Sequence, residues 1–327
     1  MKCKASIIVV SYNNYRTTTG PCLESLLKDR YVENLEIIIV DNAGNDDTRF
    51  LLKQRSKDLR NVTLLLNDEN RGFAGGNNDG VANAKGEIII LLNSDTVVPL
   101  GSIGRMCTYL ESADRKMLLG PISNEAGNEQ KIFMPFTRVP DILREGTNWC
   151  GSPNGHFFQA GRLDFFCVSM LKSIYAELNG LDEGFGIGFY EDYDFSLRAR
   201  KNGCEILFSE DIFIYHKGSC SFSGQSVAET KNLMHRNKKL LRRKHHDQIS
   251  FYGVREGNLN VLKQYVDFKG INTADNNHNL DRKFDRRYFF AQTMFPRNPI
   301  KRFRYYMKLT RLHKDYVKGQ VDFPLLP

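Results

Sequence analysis

At 327 residues, with 41% hydrophobic side chains and a net charge of +8, the chain can bury a full core and still carry an appendage, which excludes a disordered polymer. Its seven cysteines, Cys3, Cys22, Cys107, Cys150, Cys167, Cys204 and Cys220, are odd in number, scattered and never in a CxxC spacing, the pattern of free thiols in a reducing compartment. The charge is lopsided: from Lys231 onward 22 Lys and Arg face 8 Asp and Glu, a net +14 that leaves −6 for residues 1–230.

The opening MKCKASIIVVSYNN holds an apolar run, Ala5 to Val10, too short for a signal-peptide core or a membrane span, so it reads as a first strand of a cytoplasmic protein. Similar runs follow at Leu35 to Val40, Val62 to Leu66 and Glu87 to Leu92, each succeeded by polar or Gly-rich residues and a helix-like stretch. Continuous apolar strands alternating with helices predict an α/β fold, a mostly parallel central sheet flanked by helices. In such sheets ligands gather where strands run out. Here those ends carry Ser11, Tyr12 and Asn13, then Asp41 and Asn42, then Asn67 to Arg71, then Asn93, Ser94 and Asp95, and together they should line one crevice.

After the first strand, Gly20-Pro21 predicts that the first helix starts near Pro21 or kinks there, since proline is tolerated only in a first turn. Asp41 closes the second strand, where a carboxylate accepts hydrogen bonds from a ribose hydroxyl or a base N–H, or else caps a turn. In NRGFAGGNN, Asn70 to Asn78, the glycines Gly72, Gly75 and Gly76 would let backbone approach a ligand, and Arg71 offers a charge-assisted bond to phosphate, unless it pairs locally. This is no dinucleotide fingerprint, because the glycines follow the third strand with the wrong spacing. NSDT follows the fourth strand, and an Asp just past a buried strand, here Asp95, can hold a divalent metal against phosphate oxygens.

Residues 121 to 161 read as irregular, with the single Trp149 and then His156 and Phe157. Glu191, Asp192 and Asp194 follow the Gly-rich stretch Gly184, Gly186 and Gly188 at the start of a helix, where Phe195, Leu197 and Ala199 are free to pack and Asp194 to Arg198 forms an ordinary i,i+4 pair. A strand-like IFIYH, Ile212 to His216, precedes SCSFSGQS and a basic helical stretch, so residues 1–225 form the expected catalytic domain and 226–327 a basic, mainly helical extension. Asn272 to Asn279 reads as a loop. Near the end, Tyr305, Leu309, Leu312 and Tyr316 fall at helical spacing among Arg304, Lys308, Arg311 and Lys314, a basic amphipathic helix that either lies on an anionic membrane or packs on a protein surface.

Taken in order, SIIVVSYNN, EIIIVDN, NRGFAGGNN, EIIILLNSDT, LDEGFGIGFYEDYDFSLRARKNG and IYHKGS resemble glycosyltransferase family 2, enzymes of the GT-A fold that invert the anomeric centre. The resemblance covers roughly residues 5–220, and the NRGFAGGNN and NSD forms are most similar to the branch of rhamnosyl- and galactofuranosyl-transferases. It implies a donor-binding half to about residue 120 and an acceptor and base half from 121 to 225. Ser11, Tyr12, Asn13, Asp41, Arg71, Gly75, Asn77, Asn93, Ser94 and Asp95 would then hold a UDP- or dTDP-linked sugar, with Tyr12 against the base. Asn93 stands where many relatives have Asp, so Asp95 is the only carboxylate of its motif, and His216 is the second ligand the family suggests for Mn²⁺ or Mg²⁺. Asp192 becomes the base, kept ionised by its helix N-terminus, beside Glu191, Trp149 and His156 as acceptor contacts. The acceptor would be a glycan or lipid-linked glycan of surface-polysaccharide synthesis, the enzyme cytoplasmic or peripheral on a membrane, and no nucleic acid is expected. Two rival classes remain at this stage: a sugar nucleotidyltransferase, which would place a Gly-rich, Arg- or Lys-bearing loop where this chain has SYNNYR, and a noncatalytic binder of anionic polymer, which would use the +14 tail.

Overall fold

A computed structural model describes residues 4–151, 153, 155–218, 226–246, 249, 253–271 and 277–318. In chain order the elements are β1 (Ala5–Ser11), α1 (Thr19–Leu27), β2 (Glu36–Asp41), α2 (Thr48–Ser56), β3 (Val62–Leu66), α3 (Gly72–Asn83), β4 (Ile88–Asn93), β5 (Thr96–Val97), α4 (Ser102–Glu111), β6 (Met117–Ile122) and α5 (Val139–Cys150). They continue with β7 (Phe157–Gln159), β8 (Cys167–Leu171), α6 (Lys172–Glu177), α7 (Glu191–Lys201), β9 (Glu205–Phe213), β10 (Tyr215–His216), α8 (Val227–His245), α9 (Val254–Ile271), α10 (Asn277–Thr293) and α11 (Pro299–Lys318).

The four apolar runs become β1 to β4, parallel neighbours in an eight-stranded sheet ordered β3-β2-β1-β4-β8-β6-β9-β7, in which only β8 and β7 run against the rest. Ile8 sits opposite Ile38 on one side and Leu91 on the other, all fully buried, because helices cover both sheet faces. At about 1.5–3 kcal/mol for each such side chain, these strands form the rigid floor of the molecule. Helix α3 lies unusually close to β1: a Cβ on Gly80 would overlap the Ile8 side chain, so that glycine serves packing. Helix α1 begins at Thr19 and keeps Pro21 in its first turn, as the proline requires.

Three expectations need correction. The stretch read as irregular contains α5, with Pro140 in its first turn. The strand expected from Ile212 to His216 breaks: β9 ends at Phe213, and β10 departs to pair with β5, setting His216 opposite Thr96. Of the loop expected at Asn272 to Asn279, residues 277–279 open α10, while 272–276 lie outside the described residues, as do Cys3 and Cys220. Cys22, Cys107, Cys150, Cys167 and Cys204 are free and buried.

The basic extension is helical, as expected, yet it is not a separate charged object. Lys283 and Arg287 of α10 are 1% and 0% exposed and neutralise two equally buried acids of β9. Lys283 Nζ lies 2.9 Å from Asp211 Oδ1, and Arg287 Nε lies 2.6 Å from Glu210 Oε1. The other Glu210 oxygen accepts bonds from Trp149 Nε1 at 3.1 Å and the Tyr265 hydroxyl at 2.5 Å. Among the described residues, no helix is long and apolar enough to cross a membrane.

Candidate active site

A cleft of about 820 Å³ opens over the ends of β1 and β4 and is closed from the far side by α7 and by Met234 of α8. Tyr12, Asn13, Asn93, Ser94, Glu191, Asp192 and His216 all line it, so seven of the residues marked from the sequence do meet in one cavity. Left-handed turns at Asn13, Asn14 and Ala43 fold the first two loops against each other, and Asn13 exchanges two hydrogen bonds of 2.8 Å with Asn45.

Asp95 stands just behind the lining, 6% exposed. The β5–β10 pairing brings His216 Nε2 to 3.4 Å from Asp95 Oδ1, while the ring's Nδ1 lies 3.0 Å from the Glu125 carbonyl oxygen. Burial opposes a charge on His216, but the hydrogen bond and negative charge of Asp95 outweigh it and raise its pKa. One carboxylate and one imidazole at this separation make a donor set able to share a first-row divalent ion, the remaining positions falling to ligand oxygens and water. No larger cluster of His, Cys, Asp or Glu suited to a metal occurs among the described residues.

Glu191 and Asp192 open α7, and their environments split them. Burial pushes Glu191 up to about 8, with the Asp192 charge adding to it, and its Oε2 has no hydrogen-bond partner among the described residues. Asp192 is also raised by burial, to about 6, but Arg162 lies 3.8 Å from its Oδ2 and opposes the rise. Beside the helix terminus expected to keep Asp192 ionised, desolvation acts the other way, and the nearby cation keeps Asp192 the more acidic of the two. Both carboxyls are raised, and the cation beside Asp192 favours leaving the charge there, a division that suits one proton acceptor next to one hydrogen-bond donor. Asp194 points away from the cleft, bound to Arg198 Nε at 2.7 Å and to Lys244 and His245 of α8, so it anchors structure.

The loop ahead of α7 is strained. Phe189 and Tyr190 adopt φ of 73° and 76°, a region that side chains disfavour. Asn237 of α8, fully buried, holds this loop by donating from Nδ2 to the carbonyls of Phe185, Gly188 and Phe189 at 2.7, 2.8 and 3.1 Å. Neither Asn237 nor Arg162 was marked from the sequence, since each is a lone residue with no spacing pattern around it.

Other expected site residues lie elsewhere. Ser11 is fully buried, its hydroxyl 2.7 Å from that of Thr19. Asp41 is fully buried, with one oxygen 2.5 Å from Arg49 Nε and Oδ1 without a partner among the described residues. Arg71 does not reach the cleft; it pairs with Asp79 and with Glu183, the latter at 2.9 Å. Asn77 is buried and bonds its own helix at Phe73, and Gly75 packs over Arg71. Trp149 is 1% exposed in the core, and His156 stacks on Phe268 with centroids 4.5 Å apart, so neither contacts the cleft.

The NRGFAGGNN segment thus braces the loop ahead of Asp192. Asn78 bonds Leu181 and Glu183, and Phe73 N reaches the Ile187 carbonyl at 3.3 Å. Gly72, at φ 68°, packs directly on Gly186, and a Cβ there would overlap the Gly186 carbonyl oxygen. Gly72→Ala should destabilise the fold by about 2 kcal/mol or more, from left-handed strain plus displaced backbone. Chemical denaturation checks this, and an unchanged midpoint would remove Gly72 from the brace.

Residues 6–166 match the profile of Glycosyl transferase family 2. The poly(ribitol-phosphate) beta-glucosyltransferase of Bacillus spizizenii is 29% identical over 65% of this chain and 32% of its own length. The UDP-Glc:alpha-D-GlcNAc-diphosphoundecaprenol beta-1,3-glucosyltransferase WfaP of Escherichia coli is 34% identical over 33% of this chain and 41% of its own. The chain thus spans less than half the length of either relative. Among solved structures, GalNAc-T7 with UDP, GalNAc and Mn²⁺ superposes with a TM-score of 0.55 at 16% identity, covering 78% of this chain and 53% of that one. The mannosyltransferase PcManGT of Pyrobaculum calidifontis in complex with GDP-Man and Mn²⁺ gives 0.51 at 14% identity, covering 98% and 87%. These likenesses fix the fold as GT-A-type. The match to glycosyltransferase family 2 takes in the parallel strands β1 to β4 and the floor of the cleft.

Proposed function

We propose that the cleft moves a sugar from a UDP- or dTDP-linked donor to a hydroxyl of a glycan or lipid-linked glycan, inverting the anomeric centre. The observation that carries this reading is the approach of two unlike acidic stations to one cavity: His216 on one wall with Asp95 just behind it, and Asp192 with Arg162 on the other. Asp95 and His216 would hold Mn²⁺ or Mg²⁺, which when bound supplies positive charge to a departing diphosphate. Tyr12 and Asn13 take the nucleoside end.

Such a leaving group needs no acid, so one proton acceptor suffices. Asp192 takes the proton of the acceptor hydroxyl as that oxygen attacks the anomeric carbon from the side opposite the diphosphate. Protonated Glu191 donates a hydrogen bond to the acceptor. Arg162 keeps Asp192 charged and in place. A lipid-linked acceptor would put this chemistry on the inner face of a membrane, in surface-polysaccharide assembly, where buried free thiols stay reduced.

Thermal melting with nucleoside diphosphates and their sugars, with and without Mn²⁺, tests the donor side. A ligand at 100 times its dissociation constant adds about 2.7 kcal/mol of stability. The Mn²⁺-dependent part of the shift should vanish in Asp95→Ala. Retention of the full Mn²⁺ effect in that variant would take the metal away from Asp95, and the absence of any nucleotide shift would reject the donor reading.

A further inference from the structure

We propose that the outward face of α11 is a docking surface for an anionic lipid bilayer. The apolar stripe that periodicity first marks on this helix is spent on the protein itself: Tyr305, Leu309 and Tyr316 are 5%, 2% and 3% exposed, packed against α9 and α10. Tyr316 stacks on Phe284 with centroids 3.6 Å apart, and the Tyr305 hydroxyl donates to the Ala291 carbonyl at 3.0 Å. The helix is therefore seated in a fixed rotation, and its other faces have a defined presentation.

A second apolar stripe lies diametrically opposite. At about 100° per residue, Ile300, Phe303 and Met307 share the face turned away from Tyr305 and Leu309. They are 66%, 65% and 53% exposed, with Tyr306 beside them at 51%. The same face presents Arg304, Arg311, Lys314 and Lys318, with Lys308 at its edge, all exposed, against the single acid Asp315 in the whole helix. Large apolar side chains ringed by cations match hydrocarbon bounded by phosphate headgroups, with the Lys and Arg stems lying along the apolar surface while their charges reach outward. A nucleic acid offers nothing to Ile300 and Met307, and a second copy of this face would bring five cations against five. The complementary partner is an anionic bilayer, whatever reaction the cleft performs.

Flotation of the full chain with vesicles of phosphatidylcholine alone, or mixed equally with phosphatidylglycerol, tests the proposal. The protein should float with the mixed vesicles and not with the neutral ones. I300S/F303S/M307S should lower the bound fraction about ten-fold or more through lost apolar insertion. R304Q/K314Q should lower it about 25-fold at low salt, at roughly five-fold per cation. Both variants should melt like the parent, since all five positions are exposed. Failure of the parent to float with anionic vesicles overturns the proposal, as does unchanged flotation of the apolar triple variant. A parent dimer on gel filtration that the triple variant dissolves, with no vesicle binding by either, also overturns it and assigns the face to a protein contact.

Discussion

Asp192→Asn should lower turnover by about 10²–10⁴-fold, roughly 3–5 kcal/mol of barrier, while donor binding stays at its parent level. The carboxylate lies on the cavity surface beside a cation that favours its ionised form: Arg162, which also binds Asp164, faces it, while burial raises Glu191 next to it. An amide of the same shape keeps the loop and loses only the proton acceptor. The variant should also melt slightly higher. A carboxyl whose pKa rises on folding, here to about 6, is destabilising above that pH, and a neutral amide removes the cost. This separates lost chemistry from lost structure. The parent enzyme should lose activity as pH falls through about 6, tenfold per pH unit, as Asp192 is protonated, and the residual activity of the variant should lack that limb. Near-parental turnover in Asp192→Asn would remove Asp192 from the chemistry.

What could be read from the sequence was what depends on long runs. Strands covered on both faces must be apolar throughout, which made β1, β2 and β4 legible, and the half-exposed edge strand β3 was legible from an apolar run of the same length. Polar residues at their ends were then bound to cluster, and Tyr12, Asn93 and Ser94 do. Residue type alone failed where one composition serves two ends. Glycines beside an Arg look alike whether they cradle phosphate or pack a helix on a strand, and in α3 they pack, with Arg71 bound to Glu183. A lone Trp has the same signal lining a sugar pocket as filling a core, and the partner that decides for Trp149, Glu210, lies 61 positions away. Likewise α11 contains two apolar stripes, and only the presence of α9 and α10 determines which one is buried. The break after Phe213 that delivers His216 to Asp95 has no proline or glycine to announce it; it shows only once β5 is there to pair with β10.

Arg287→Met should destabilise the protein by about 3–5 kcal/mol, the cost of leaving Glu210 buried without its cation. Glu210 is 1% exposed, and Arg287 is the only cation in direct contact with its carboxylate among the described residues; the Trp149 and Tyr265 bonds stabilise the charge without neutralising it. The same residue also bonds the Lys131 carbonyl at 2.7 Å and Asn258 at 3.3 Å, so one side chain ties α10 to β9, to α9 and to the segment after β6. The double variant Glu210→Gln with Arg287→Met should recover much of the loss, because it removes the uncompensated charge along with its partner. Urea titration of the parent, the two single variants and the double variant closes the cycle, and strict additivity would mean that the pair is not coupled. If coupling is found, the basic extension is part of the catalytic fold: its helices bury the acids of β9, and α8, through Asn237, holds the strained turn on which Asp192 stands. Removing the extension should then abolish turnover along with stability, whereas a tail that served only as an anchor would leave activity on a soluble acceptor intact.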